Sequence, residues 1–341
     1  MLNTVYRLVR PRQFEVAFTD LTIDSRHVLV APTHLSICNA DQRYYQGKRA
    51  PEILRQKLPM ALIHEGIGVV IRDPSGTFQS GEQVVMIPNI PREKSDVAAE
   101  NYLRSSLFRG SSIDGFMQEY IETVPDRLVK VPEKIGNDLV AAYTEMVSVC
   151  YHAISRFDRT AHAQREVIGV WGDGNMGYFT SLVLKARFPK AAIYVFGISE
   201  SKLSDFSFAD GTFLVSQIPK DLRVDHAFEA VGGNASGQVI SQIIDTIRPE
   251  GTIAILGVSE DPVPINTRMV LEKGLRIIGT SRSGREDFEG LLSLYASHPE
   301  VVSNLERMVG GVIRVRDTAD MIKAFEMDIH KEMGKTIMLW N

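Results

Sequence analysis

Up to about Pro132 the chain alternates short apolar runs with turn residues. Val28–Ala31, Gly66–Ile71 and Gln83–Ile87 are rich in β-branched residues, and the turn signals Asp73 to Gly76 and Ser80-Gly81 separate the last two. This pattern predicts an antiparallel, barrel-like domain. From Asn137 to His152 the period becomes helical, with Leu139, Ala142, Tyr143, Met146 and Val149 on one face. Strands and helices then alternate: Val167–Trp171 with Met176–Phe188, Ala192–Phe196 with Ser199–Phe206, and Asp225–Glu229 with Gly237–Ile247. Thr252–Leu256 and Arg276–Thr280 add two more strands. Continuously apolar strands joined by helices predict a parallel, doubly wound α/β sheet of the Rossmann kind. From Arg285 the chain reads as helical until a closing strand, Lys335–Trp340. The expected organisation is a first domain over 1–146, a dinucleotide-binding domain over 147–282, and a segment over 283–341 that returns to the first.

Composition narrows the class. With 341 residues, 44% of them hydrophobic, the chain is too long for one ordinary core and too apolar to be disordered. The 38 basic residues against 42 acids leave a net charge of -4, which argues against a general nucleic-acid or membrane-surface binder. Only two cysteines occur, Cys38 and Cys150, so a disulfide scaffold is excluded and a reducing, cytoplasmic setting is expected. No apolar run approaches the roughly 18 residues that span a bilayer, and the start carries no signal-like segment.

Gly172-Asp173-Gly174-Asn175-Met176-Gly177 places G-x-G-x-x-G between a predicted strand and a predicted helix. In that context the first glycine permits a tight turn and the second lets a pyrophosphate approach the backbone. The third lets helix and strand pack closely. The next strand ends in Gly197, where an NAD site needs a carboxylate for the ribose. Ser199 and Lys202 follow, a hydroxyl and a cation suited to a 2′-phosphate, while Glu200, a rival acid, lies in the next turn. NADPH is therefore the expected cofactor, with Gly232 and Gly257 in later strand-end turns completing its site.

Cys38 follows one strand, the pair His64-Glu65 opens another, and Glu145 lies in the helical segment. Together they supply a thiolate, an imidazole and carboxylates, the usual donors for zinc. Cys150 falls on the apolar side of its helix and reads as an inert core thiol; His152 and His226 read as satisfied core histidines, and Trp171 and Trp340 as packing residues.

These stretches resemble the zinc-dependent medium-chain dehydrogenase/reductase family along essentially the whole chain. The resemblance rests on Ile37–Asp41, Leu58–Val70, Ser80–Val85, Thr144–Ala153, the glycine motif and Gly334–Met338. Ala40–Tyr45, Ala99–Ser106, Asp114–Gln118 and Gly279–Gly284 are similar to a branch whose members reduce ribulose 5-phosphate for CDP-ribitol and teichoic-acid synthesis. The resemblance implies a GroES-like catalytic domain and one zinc on Cys38, His64 and Glu65, with Glu145 a fourth, exchangeable ligand. It also implies self-association or pairing with a cytidylyltransferase that consumes the ribitol phosphate.

Two departures follow. Pro91–Ile113, where many relatives carry four cysteines, has none, so no structural zinc is expected. The usual relay hydroxyl is replaced by Ala40, leaving Tyr44, Asp41 or a bound water. One thiolate and two carboxylates would leave the zinc with one excess negative charge, which predicts that Glu145 withdraws when substrate oxygen binds. A sugar phosphate calls for cations, and Arg43, Lys48, Arg49, Arg104 and Arg109 are the candidates, with Arg282 a further one facing nicotinamide or substrate. Two other readings stand beside this one: oxidation of an unphosphorylated polyol or alcohol, and a non-catalytic nucleotide sensor or scaffold.

Overall fold

A computed structural model describes residues 1–22 and 24–340. The chain divides into two compact units, Met1–Met146 with Ser283–Asn341, and Val147–Arg282.

The first unit is built on a sheet that is antiparallel except for one parallel pair at its edge. Its order is Leu128–Lys130, Gln83–Met86, Glu65–Arg72, Val28–Ser36, Lys335–Trp340 and Val309–Val315, with Ile121–Thr123 also paired to Val28–Ser36. A second, three-stranded sheet joins the hairpin Leu2–Arg10 and Gln13–Asp20 to Met60–Ala61. Glu65–Arg72 lies so close to its neighbour that glycine is required: a methyl group on Gly68 would meet Ala31 O at 2.6 Å. The core of this unit draws on both ends of the chain, packing Val5, Leu8, Val30 and Met86 with Ile313, Phe325, Met338 and Trp340. Trp340 is more than a packing residue, because its indole N–H donates to Gln118 O at 2.9 Å.

The second unit is a six-stranded parallel sheet. Its order is Gly211–Leu214, Ala192–Gly197, Val167–Trp171, His226–Glu229, Thr252–Ile255 and Arg276–Gly279. The order reverses on either side of Val167–Trp171, the doubly wound pattern. Trp171 stacks on Phe196 at 3.9 Å and packs with Val224, Ile240, Ile243 and Ile253. His226 is a satisfied core histidine: Thr252 N–H meets its Nδ1 at 3.1 Å and Nε2 lies 3.0 Å from Gln164 O.

Several sequence expectations need correction. The segment after Arg285 is not all helix, since Val309–Val315 forms a strand parallel to Lys335–Trp340. Its β-branched Val309, Val312, Ile313 and Val315 favour strand once a partner covers one edge. The helix expected over 137–152 is two pieces, Asp138–Ala141 and Thr144–Thr160. That expected over 199–206 shrinks to Glu200–Leu203, and the strand Gly211–Leu214 was not anticipated.

Candidate metal centre and dinucleotide site

Val28–Ser36 and Glu65–Arg72 pair so that Ser36 stands opposite Glu65. The chain leaves the first strand through Cys38 and enters the second through His64, which brings the two ends together. Donor atoms of Cys38, His64 and Glu65 all lie within 4.8 Å of one another. Cys38 is half-buried, while His64 and Glu65 are buried.

Asp41 organises this cluster. Its Oδ2 accepts Cys38 N–H at 3.1 Å; its Oδ1 accepts Ile63 N–H at 3.1 Å and lies 3.2 Å from His64 Nδ1. Holding Nδ1 through a carboxylate leaves Nε2 to face a metal. Ile63 is held at φ 69°, a left-handed conformation costly for a β-branched residue. Asp41 and the Phe116 N–H, which donates to Ile63 O at 2.7 Å, hold that turn and aim His64. The expectation of Asp41 as a proton relay is therefore corrected: both its oxygens are committed to the chain around the donors.

Lys335, the first residue of the closing strand, completes the centre. Ile337 pairs with Ser36 from the other side of Val28–Ser36, and this register brings Lys335 to Glu65. Its Nζ donates to Glu65 Oε1 at 3.0 Å and stands 2.8 Å from Oε2. The second approach has no hydrogen-bond geometry, so Oε2 is a buried acceptor without a hydrogen-bond donor. The buried ammonium offsets one of the negative charges counted for the centre, which corrects the excess expected from the ligands alone. A charged residue opening an otherwise apolar closing strand was the available signal.

Titration behaviour follows from these neighbours. Burial opposes the His64 cation, but Asp41 and then Cys38 together outweigh it and hold the imidazole well above the usual histidine range. Burial and then Glu65 push the Cys38 thiol up. Burial also opposes the Lys335 cation, yet Glu65 and Cys38 hold it above the usual lysine range. Glu145 is buried and lies outside the cluster of three; burial pushes its carboxyl up to about 7, with His64 pulling against this and Glu65 adding to it. Thiolate, imidazole and an open carboxylate oxygen in one buried corner are a donor set that fits zinc.

The basic candidates separate. Arg43 and Arg49 are half-buried near Tyr44; the Arg49 guanidinium lies 5.0 Å from the centre of the Tyr44 ring, and burial and then Arg49 pull Arg43 down. Lys48 and Arg104 are exposed. Arg109 is corrected outright: it is buried, donates to Glu122 O at 2.7 Å, and packs over Phe116 at 5.9 Å. Its guanidinium serves the fold.

In the second unit, Gly172 adopts φ 137° after the strand Val167–Trp171, and Gly174 precedes the helix Asn175–Arg187. A methyl group on Gly177 would stand 1.9 Å from Gly172 O, whereas one on Gly174 would meet nothing within 4 Å. Ser199 caps the turn Glu200–Leu203, accepting Lys202 N–H. Gly232 and Gly257 abut, a methyl group on the latter meeting Gly232 N at 2.2 Å. Sequence reasoning missed two carboxylates here. Buried Glu229 accepts Val231 and Gly232 N–H on Oε1 and Gly257 N–H on Oε2. Asp173 accepts Ile198 and Ser199 N–H. An acid ending an apolar strand was the signal for Glu229. Cys150 is fully buried, with Sγ 3.2 Å from Met176 Sδ.

Residues 24–133 match the alcohol dehydrogenase GroES-like domain, and residues 190–297 match the zinc-binding dehydrogenase domain. The chain is 54% identical over 340 residues to the ribulose-5-phosphate reductase of Bacillus spizizenii, covering 100% of this chain and 99% of that protein. It is 42% identical to the Streptococcus pneumoniae ribulose-5-phosphate reductase, covering 100% of this chain and 98% of that one. Among solved structures, S. aureus TarJ in complex with NADPH superposes with a TM-score of 0.89 at 45% identity, with 100% of both chains covered. Among the described residues, no helix is long and apolar enough to cross a membrane.

Proposed function

The chain belongs to the zinc-binding dehydrogenase family, in the branch of the ribulose-5-phosphate reductases, and from that membership we propose that it reduces D-ribulose 5-phosphate to D-ribitol 5-phosphate with NADPH. The observation that carries the reading is the buried corner of Cys38, His64 and Glu65, aimed by Asp41, in a chain so similar to named reductases of this substrate.

Cys38, His64 and Glu65 would hold the zinc. Bound there, it supplies a Lewis acid for the substrate carbonyl, and NADPH supplies the hydride. Asp41 fixes the imidazole, and Lys335 moderates the negative charge of the donors. Glu145, buried but outside the three, would be a further, exchangeable donor to that zinc. With Asp41 committed, Tyr44 is the remaining side-chain relay, and the neighbouring Arg43 and Arg49 are the pair suited to the phosphate dianion. Gly172, Gly174 and Gly177 shape the pyrophosphate loop, and Ser199 and Lys202 take the 2′-phosphate. We place the enzyme in the cytoplasm, as a homo-oligomer, supplying a cytidylyltransferase of CDP-ribitol and teichoic-acid synthesis.

NADPH consumption tests this with ribulose 5-phosphate against xylulose 5-phosphate and unphosphorylated ribulose, before and after chelation and zinc re-addition. Turnover confined to ribulose 5-phosphate and restored by zinc is expected. Equal turnover of unphosphorylated ribulose would favour the polyol dehydrogenase. No turnover of any carbonyl would favour the nucleotide sensor.

A further inference from the structure

The end of the second parallel strand carries no acid in the sequence but carries one in space. Ala192–Gly197 ends on a glycine, and a methyl group there would stand 2.6 Å from Asp173 Cβ and 2.7 Å from Asp173 Oδ2. That same Oδ2 accepts Ile198 N–H at 2.8 Å and Ser199 N–H at 2.9 Å. A carboxylate thus reaches the strand end from the glycine-rich loop, across ground that only glycine at 197 leaves open.

In a dinucleotide fold this is where the adenosine ribose is read. We propose that Asp173 is a positioning and specificity residue for that ribose, setting how strongly a 2′-phosphate is preferred over a 2′-hydroxyl. The proposal rests on the NADPH reading above. Two effects of Asp173 oppose each other. Its two bonds fold Ile198 and Ser199 back toward the glycine loop. In that arrangement Ser199 Oγ lies 2.8 Å from Ser201 Oγ and accepts Lys202 N–H at 3.4 Å, so two hydroxyls and a lysine share one turn. Against this, the carboxylate places a negative charge beside the site of a second anion. Both of its bonds fall on Oδ2, and Oδ1 remains a spare acceptor on the half-buried side chain. The absence of an acid from the strand itself therefore does not free the site of carboxylate charge.

Equilibrium binding of NADPH and NADH to the full chain, followed by nicotinamide fluorescence, tests this with Asp173→Asn and Asp173→Ala. Asparagine keeps an oxygen for both amides and removes the charge. The ratio of the NADH to the NADPH dissociation constant should then rise on the order of three- to tenfold, and the rise should shrink as salt is added. Alanine removes the acceptor as well, and both cofactors should weaken. An unchanged ratio in Asp173→Asn overturns the specificity role, and wild-type affinities in Asp173→Ala overturn the positioning role. A wild-type chain that binds NADH as tightly as NADPH defeats the cofactor reading instead, because the change of ratio in the asparagine variant is read independently of it. Circular dichroism on each variant separates these outcomes from unfolding.

Discussion

Glu65 has no exposed side-chain surface and the lysine facing it is 2% exposed, so neither charge has water to fall back on. Removing one partner of such a pair leaves the other buried and uncompensated, at a cost of about 3–5 kcal/mol. In metal-free protein, Lys335→Met should lose roughly that much by urea unfolding. Lys335→Arg should retain most of the stability, and Lys335→Met combined with Glu65→Gln should recover more than half of the loss. Lys335→Met within about 1 kcal/mol of wild type would mean that the buried ion pair does not hold this corner together. Donor chemistry was legible here in a way that its control was not. Cys38, His64 and Glu65 could be chosen because thiol, imidazole and carboxylate stand at strand ends, and the fold brings those three together. Lys335 was out of reach because its neighbour is set by register: Ile337 opposite Ser36, and Ser36 opposite Glu65. Arg109 failed for a related reason, since a sequence does not say whether a guanidinium faces solvent or a carbonyl such as Glu122 O.

Elements whose burial is uniform along their length were the most readable. Val167–Trp171 and His226–Glu229 are almost wholly buried, so their apolar runs survive as strands with few alternatives. Val309–Val315 alternates exposed and covered positions and contains two adjacent glycines, and only pairing with Lys335–Trp340 makes it a strand. The glycine loop joins strand to helix, and its glycines do different jobs. Gly177→Ala would drive a methyl group to within 1.9 Å of Gly172 O, so the loop itself must shift. Gly174→Ala meets no protein atom within 4 Å, so its penalty falls on a bound pyrophosphate. Gly174→Ala should therefore keep the wild-type melting temperature and lose NADPH affinity by on the order of tenfold or more. Gly177→Ala should lower both. Calorimetry paired with a binding titration checks this, and equal melting behaviour in the two variants would count against the assigned roles.

On the scale of the whole chain, the two units differ in how their cores are assembled from sequence. The core of the parallel-sheet unit is drawn from Trp171, Phe196, Ile243, Ile253 and their neighbours, all inside one continuous stretch. The other core needs both termini: Val5 and Leu8 share it with Met321, Phe325, Met338 and Trp340. A segment that contains its whole core can fold alone, and one that lacks part of its sheet cannot. The division between Met146 and Val147 falls within the helix Thr144–Thr160, so an independent fragment should begin at Thr144 to keep that helix whole. Residues 144–282 expressed alone should be folded by circular dichroism, unfold cooperatively and bind NADPH. Residues 1–146 alone lack the strands Val309–Val315 and Lys335–Trp340, leaving one edge of Val28–Ser36 unpaired and Glu65 without its ammonium. That fragment should be aggregated or unfolded, and adding residues 283–341 in trans should rescue it at least in part. A stable, zinc-binding 1–146 would show that the metal centre does not depend on the returning segment, contrary to the register that delivers Lys335.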